Sequence, residues 1–420
     1  MVTVGAKVLR VRDDGGDGGG EHETGKDRDA GRLQRGPTFG AERTGARVVE
    51  VLDRISVEVD ERRRIVPHGG IVGGGKLAAM TSNRRILLAA RPDGLVSEDC
   101  LERVEEDVPV PGDGEVLLRV LSLSVDPTNR VWMREEDSYL PAVEIGAVVR
   151  AAGVAQVVES HRDGFAVGDL VMGMPGWQDY WLLSDDAMAN VIPPGLEIND
   201  LLSIYGSTGV TAWFGIEDVC ALQAGETFVV SGAAGGVGSI AGQLAKIKGA
   251  GTVVGIAGSD EKCRWVVEDL GFDACINYKT EDVAARLVEL CPNGIDVYFD
   301  NVGGEILDAA LANLAIGARI ACCGAISTYN AATPVGITHT DNLIMRRARM
   351  QGFLILDYVD RFVEAIMGLA PLVAEGRLRY ATEVVDGLEH APSTLNRLFT
   401  GDHTGKLIVK VSEPTTADGP

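Results

Sequence analysis

A glycine-dense turn between an apolar run and an amphipathic helix constrains this chain more than any other feature. Residues 226–258 read ETFVVSGAAGGVGSIAGQLAKIKGAGTVVGIAG. An apolar β-type run (227–230) enters the turn, a helix is predicted over about 237–248, and a second apolar run follows at 252–256. That order is a βαβ unit, whose crossover makes its two strands parallel neighbours in one sheet. Gly232, Gly235 and Gly238 fall three residues apart where the strand ends and the helix starts. A Cβ there would keep backbone N–H groups and the positive helix end away from a pyrophosphate. Glycine also serves plain tight turns, so it is the strand before and the helix after that favour dinucleotide binding.

Length and charge narrow the partners. At 420 residues the chain exceeds one ordinary core, and two domains are expected. A formal charge of -22 repels nucleic acid and anionic membrane surfaces, so neither is expected as a partner. The seven cysteines are scattered at apolar positions without a Cys-x-x-Cys pair. They fit a reducing cytoplasm better than a disulfide framework or a zinc knuckle, and Cys322 and Cys323 read as packing groups in a buried strand. No uncharged apolar run reaches the ~18 residues of a membrane span. Nor does a compact apolar segment follow the first basic residues, as a secretory signal would require.

Residues 1–79 are charged and glycine-rich, and are predicted to be a disordered or dispensable extension in which only 46–65 alternates enough for a local strand or helix. A β-rich part, 80–203, carries short apolar runs separated by Pro and Gly turns, at 86–90, within 109–127, and at 147–160, 169–172 and 177–184. Runs at this spacing suggest a small barrel. From 204 to 372 helices and strands alternate, with strands predicted at 227–231, 252–256, 274–277, 295–299, 318–323 and 351–356, and a helix near 359–375. Six such strands make a doubly wound parallel sheet of an α/β fold, with its ligand across the strand carboxyl ends. Residues 373–411 end in a strand near 406–411 that returns to the β-rich part, and 412–420 form a loose tail.

The runs VVSGAAGGVGS, GIAGSDEKCRW, GFDACINYK, GIDVYFDNVGGE, ARIACCGAISTYN, RRARMQGF and GKLIVKV occur in that order. Together they resemble the zinc-independent medium-chain dehydrogenase/reductase superfamily over roughly residues 80–411. Within it they are similar to the NADPH-dependent alkenal/enone reductase branch, which includes the prostaglandin and curcumin reductases. The resemblance implies a Rossmann doubly wound parallel sheet plus a GroES-like β-barrel domain discontinuous in sequence, NADP(H) as cofactor, and a homodimer. It also implies that Gly236, Val237 and Phe353 join the glycines in lining the cofactor.

Cofactor choice turns on the residues after the second strand. NAD-preferring units place an acid about twenty residues past the glycines. Here that place is Ala257-Gly258, followed by Ser259 and Lys262, whose hydroxyl and ammonium suit a 2′-phosphate. Ser259 with Asp260 and Glu261 also reads as an N-cap with acids in the first turn, and Asp260 permits an NAD reading. The resemblance implies that the lysine of GSDEK and the tyrosine of NYK, Lys262 and Tyr278, contact the 2′-phosphate. Asn301, at the end of the fourth strand, can reach a cofactor or merely close its turn; the family's asparagine touches the cofactor. Tyr329 lies in AISTYN just past the fifth strand, where a phenol could hydrogen-bond a carbonyl oxygen that gains negative charge, or could simply pack. By resemblance it binds the substrate carbonyl together with a ribose hydroxyl.

No metal site is expected: the β-rich part offers one histidine, His161, in a loop without Gly-His-Glu or a cysteine cluster. No Gly-x-Ser-x-Gly elbow marks a nucleophilic serine either. Two departures from the family bear on substrate and cofactor. Asp126-Pro127-Thr128-Asn129-Arg130 stands where Asp-Pro-Tyr-Met-Arg is common, so an aromatic pocket wall is missing, which Tyr205 and Trp213 either repack or leave alone as core aromatics. His403, a candidate cofactor contact, stands where the family often has asparagine before x-Gly-Lys. The expected function is NADPH-dependent reduction of the carbon–carbon double bond of α,β-unsaturated aldehydes or ketones. Hydride goes to the β-carbon while Tyr329 holds the oxygen. Quinone reduction, and a non-catalytic NADPH-binding sensor or structural protein, are the alternatives.

Overall fold

Short alternating runs give way to continuous apolar ones near residue 200, and the chain builds a different sheet on each side of that point. The computed structural model describes residues 82–415 except Asp137, Asp185, Asp186, Met188, Ala332, Pro334 and Val335. The predicted extension 1–79, with the element read at 46–65, and residues 416–420 of the tail lie outside the described residues. The first strands are β1 (Ser82–Leu88), β2 (Leu101–Asp107), β3 (Val116–Ser124), β4 (Gly153–Ser160), β5 (Leu170–Gly173), β6 (Tyr180–Leu183) and β7 (Asn190–Val191). β1 and β2 pair antiparallel with each other, whereas β3 joins β4 and β6, and β5 and β7 extend the sheet beyond β4. β3 reads VLLRVLSLS and is buried along almost its whole length, as a strand with two partners and a covered face must be. Leu118, Val120, Leu123, Met133 and Trp177 meet in the core it supports. A short helix, α1 (Pro127–Val131), follows β3.

Helices α2 (Ile198–Leu201) and α3 (Ser207–Phe214) lead to the second sheet. Its strands are β8 (Thr227–Ser231), β9 (Thr252–Ala257), β10 (Ala274–Asn277), β11 (Ile295–Asp300), β12 (Leu314–Cys322) and β13 (Arg349–Gly352). The spatial order is β10-β9-β8-β11-β12-β13, and every pair is parallel. The order therefore reverses between β8 and β11, which opens a crevice past their carboxyl ends. The connecting helices are α4 (Gly236–Ile247), α5 (Asp260–Glu268), α6 (Val283–Leu290), α7 (Gly304–Ala312) and α8 (Asp341–Met345), with α9 (Phe362–Ala374) after the last strand. Ser259 and Asp282 cap α5 and α6, accepting from the N–H groups of Lys262 and Ala285.

Two of the six strands differ from expectation. β12 begins at Leu314 rather than 318, running through Gly317, whose φ of +80° only glycine adopts freely. β13 ends where the sixth run was expected to start. Its four residues are all exposed on the sheet edge and carry no alternation. The apolar residues after it instead form a 3₁₀ turn, Ile355–Arg361, in which Tyr358 stacks on Phe214 at 4.4 Å between ring centres.

The end of the chain returns to the first sheet. β14 (Thr382–Asp386), α10 (Ala391–Thr400) and β15 (Lys406–Lys410) follow α9. β15 pairs antiparallel with β3, placing Ile408 opposite Ser124, and β14 lies parallel outside it. Beyond it the Ser412 hydroxyl donates to Val120 O at 2.7 Å and Thr415 N to Gln156 Oε1 at 2.8 Å, so the first residues of the predicted loose tail are bound. The fold is α/β: a doubly wound parallel sheet and a barrel-like sheet built from two separated stretches. No helix among the described residues is long and apolar enough to cross a membrane.

Candidate active site

The reversal between β8 and α4 is built for close approach of main chain. Gly232 has φ +62°, and a Cβ on Gly238 would lie 2.3 Å from Gly232 O, a backbone atom that cannot move aside. A Cβ on Gly236 would meet Thr208 Cγ2 at 2.8 Å. Gly235 is the N-cap of α4, and Val237 packs inward against the sheet core. The first N–H groups of the helix thus start from a turn that carries no side chain at 232, 235, 236 or 238, which suits a pyrophosphate. Gly405 N donates to Ala234 O at 2.8 Å, tying the same turn to the start of β15.

Past β9, Ser259 Oγ accepts from Lys262 N at 3.2 Å, so the N-cap reading is realised. Asp260 Oδ1 accepts from Asn277 Nδ2 at 2.7 Å. Lys262 Nζ donates to Gly401 O at 2.7 Å. Burial, then Lys279, lowers its pKa. His403 sits in the same corner, Nδ1 3.3 Å from Arg397 O; burial first and Lys262 second push it down to about 4. Tyr278, 42% exposed, lies over Gly258, its hydroxyl 3.1 Å from where a Cβ would be. Lys262, Tyr278 and His403 are therefore brought to one side of the strand end, with donors suited to a phosphate.

At the reversal point the Asp300 carboxylate is buried, which raises its pKa, while N–H groups of Gly303 and Val302 oppose the rise. It also accepts from the hydroxyls of Ser231 at 2.9 Å and Tyr298 at 3.1 Å. Asn301 Nδ2 donates to Ser231 O at 2.7 Å, holding the asparagine between the ends of β8 and β11. Tyr329 follows the 3₁₀ turn Ile326–Thr328, and its hydroxyl accepts from Ala325 N at 3.1 Å. The phenol is thereby turned back over the strand ends. Burial raises its pKa, opposed by that N–H and by Arg134. Phe353 follows β13, but its ring packs edge-on against Phe299 and Tyr358, at 6.2 and 6.5 Å.

The barrel faces Tyr329 with residues that carry no local signal in the sequence. Arg134 Nη2 donates to Tyr329 O at 2.8 Å and Thr328 O at 3.3 Å. Tyr139, 39% exposed, hydrogen-bonds Thr128 through the two hydroxyls and meets Trp132 edge-on at 6.2 Å. An aromatic ring thus stands beside Thr128 after all, supplied from a later loop. Tyr205 and Trp213 do not repack that wall: both pack against the core of the parallel sheet, Trp213 where Gly368 leaves room for its ring. Asn129 is buried, its Nδ2 donating to Arg150 O at 3.0 Å. Among the described residues no group of three His, Cys, Asp or Glu could hold a metal ion, and His161 lies on the surface 3.3 Å from Glu159.

A parallel sheet with its glycine cradle at the reversal point, beside a barrel completed by the chain's last strand, is the architecture of the medium-chain dehydrogenase/reductases. Residues 84–191 match the family described as N-terminal domain of oxidoreductase, and 236–370 the family described as zinc-binding dehydrogenase. The NADPH-dependent curcumin reductase of Escherichia coli is 41% identical over 79% of this chain and 97% of that protein. The NADP(+)-dependent 2-alkenal reductase of Nicotiana tabacum is 39% identical over 80% and 99%. The crystal structure of CurA in complex with NADPH from Vibrio vulnificus, 39% identical, superposes with a TM-score of 0.75 over 79% of this chain and all of that one. The chain belongs to the zinc-independent medium-chain dehydrogenase/reductase superfamily, in its NADPH-dependent alkenal/enone reductase branch.

Proposed function

We propose that this protein reduces the carbon–carbon double bond of α,β-unsaturated aldehydes or ketones with NADPH. The observation that carries the reading is the Tyr329 phenol, half-buried at a strand carboxyl end, beside the reversal-point crevice and facing the barrel. The cradle of Gly232, Gly235, Gly236, Val237 and Gly238 takes the pyrophosphate. Ser259, Lys262, Tyr278 and His403 take the 2′-phosphate end, and Asn301 and the main chain at Phe353 the nicotinamide end. Bound NADPH supplies the hydride for the β-carbon. Tyr329, a phenol and so protonated at neutral pH, donates to the carbonyl oxygen as negative charge gathers there; solvent protonates the α-carbon. The names of the curcumin, 2-alkenal and prostaglandin reductases among its relatives support the same substrate class.

Residues 80–203 and 373–411 form the substrate-side domain in this reading, to which 412–415 are bound, and 204–372 the NADP-binding domain, with 1–79 outside both. The protein acts as a cytoplasmic homodimer. Free thiols at all seven cysteines fit a reducing compartment. The bare edge of β13, beside exposed Ile344, Met345 and Met350, fits pairing with a second copy. The direct test follows loss of nicotinamide absorbance with enals, enones and quinones; no turnover of any conjugated carbonyl sinks the proposal. Tyr329→Phe should lower kcat about 100-fold without changing NADPH affinity.

A further inference from the structure

We infer that Arg134 is a positioning residue for the reaction: from the barrel side of the crevice it holds the Tyr329 turn and presets the phenol. The inference rests on Tyr329 being the group that binds the substrate carbonyl. The two residues stand 195 positions apart and belong to different sheets' surroundings, yet Arg134 Nη2 bonds the carbonyls of both Tyr329 and Thr328. The guanidinium carbon also lies 5.7 Å from the centre of the Tyr329 ring, within cation–π range.

Contacts within its own lobe hold one side of this turn. Ser327 Oγ donates to Val302 O at 2.6 Å and Thr328 Oγ1 to Ala325 O at 2.8 Å. Arg134 supplies the opposite side. With the ring pinned and Tyr329 Oη accepting from Ala325 N, the phenol O–H keeps one direction in which to donate.

Charge points the same way. The groups facing the phenol are Cys323 and Asp300 from the strand ends and Arg134 and Tyr139 from the barrel. Of these only Arg134 carries positive charge, and it opposes the rise of the phenol pKa that burial causes. A lysine would keep the charge but could not fork onto two carbonyls.

The test uses the full-length protein, NADPH and 4-phenyl-3-buten-2-one. Arg134→Met and Arg134→Lys are measured alone and combined with Tyr329→Phe. Arg134→Met should lower kcat about tenfold, since it removes both hydrogen bonds that hold the Tyr329 turn from the barrel side. It should leave NADPH affinity unchanged and move the alkaline limb of the kcat profile to higher pH, since removing the cation makes the phenol harder to ionise. In the Tyr329→Phe background the same change should cost nothing further. Arg134→Lys should keep the alkaline limb in place and recover only part of kcat. An undiminished tenfold loss in the Tyr329→Phe background, or wild-type kcat in Arg134→Met, overturns the inference while leaving the Tyr329 reading intact. Wild-type kcat in Tyr329→Phe alone removes both.

Discussion

Single atoms decide the cofactor site. The absent Cβ of Gly238 would sit 2.3 Å from Gly232 O, so Gly238→Ala must push the start of α4 off the strand end. Alanine is the better helix former by up to ~1 kcal/mol, so folding should survive while NADPH affinity falls more than about tenfold by calorimetric titration. If Lys262 holds the 2′-phosphate as proposed, Lys262→Met should separate the two nicotinamide cofactors. A phosphate bond from an ammonium is worth ~1.5–3 kcal/mol, so KM for NADPH should rise about 10- to 100-fold with KM for NADH little changed. At this scale the sequence was legible where chemistry and chain order coincide. The glycines, Ser259, Lys262 and Asn301 all lie within a residue or two of a strand end or helix start. Arg134 and Tyr139 were not legible, because their partners at Tyr329 and Thr128 are joined to them by folding and by no motif.

Among the elements, β8 and β9 declared themselves because burial on both faces favours continuous apolar runs, and β11 through the alternation of Ile295, Val297 and Phe299. β2 (LERVEED) and β13 (RMQG) did not, because each lies mostly in water and is held by backbone pairing with a neighbour. The apolar run after β13 suggested a strand, yet its side chains are drawn into the aromatic cluster around Phe214 instead. The exposed edge has its own consequence. If two copies pair there, Met350→Lys combined with Ile344→Glu puts charge into the seam, and light scattering after size exclusion should report a monomer of half the mass. NADPH binding to each chain should persist, since the cradle lies on the far side of β11 and β12 in strand order.

Across the whole molecule, acid sensitivity should show two windows. His403 titrates near 4 when folded against an ordinary 6.5, so the unfolded chain takes up a proton that the folded one refuses. Its contribution to stability is complete above pH 6.5 and is lost as pH falls towards 4. Asp308, held down to about 2 by Thr338 and His339, adds its loss only below its ordinary 3.8. Urea midpoints at pH 7.0, 5.5 and 4.5 should therefore fall less steeply in His403→Asn than in the parent. The global plan was readable from the chain because the β-rich runs, the βα alternation and the final strand each keep to one stretch. How the two sheets are joined was not. One junction between them is Gly405, whose φ of +69° and contact with Ala381 O exclude a side chain, and whose N–H reaches into the glycine turn. A side chain at 405 should therefore disturb both lobes at once, because the same residue closes on Ala381 and bonds the turn proposed to hold the pyrophosphate.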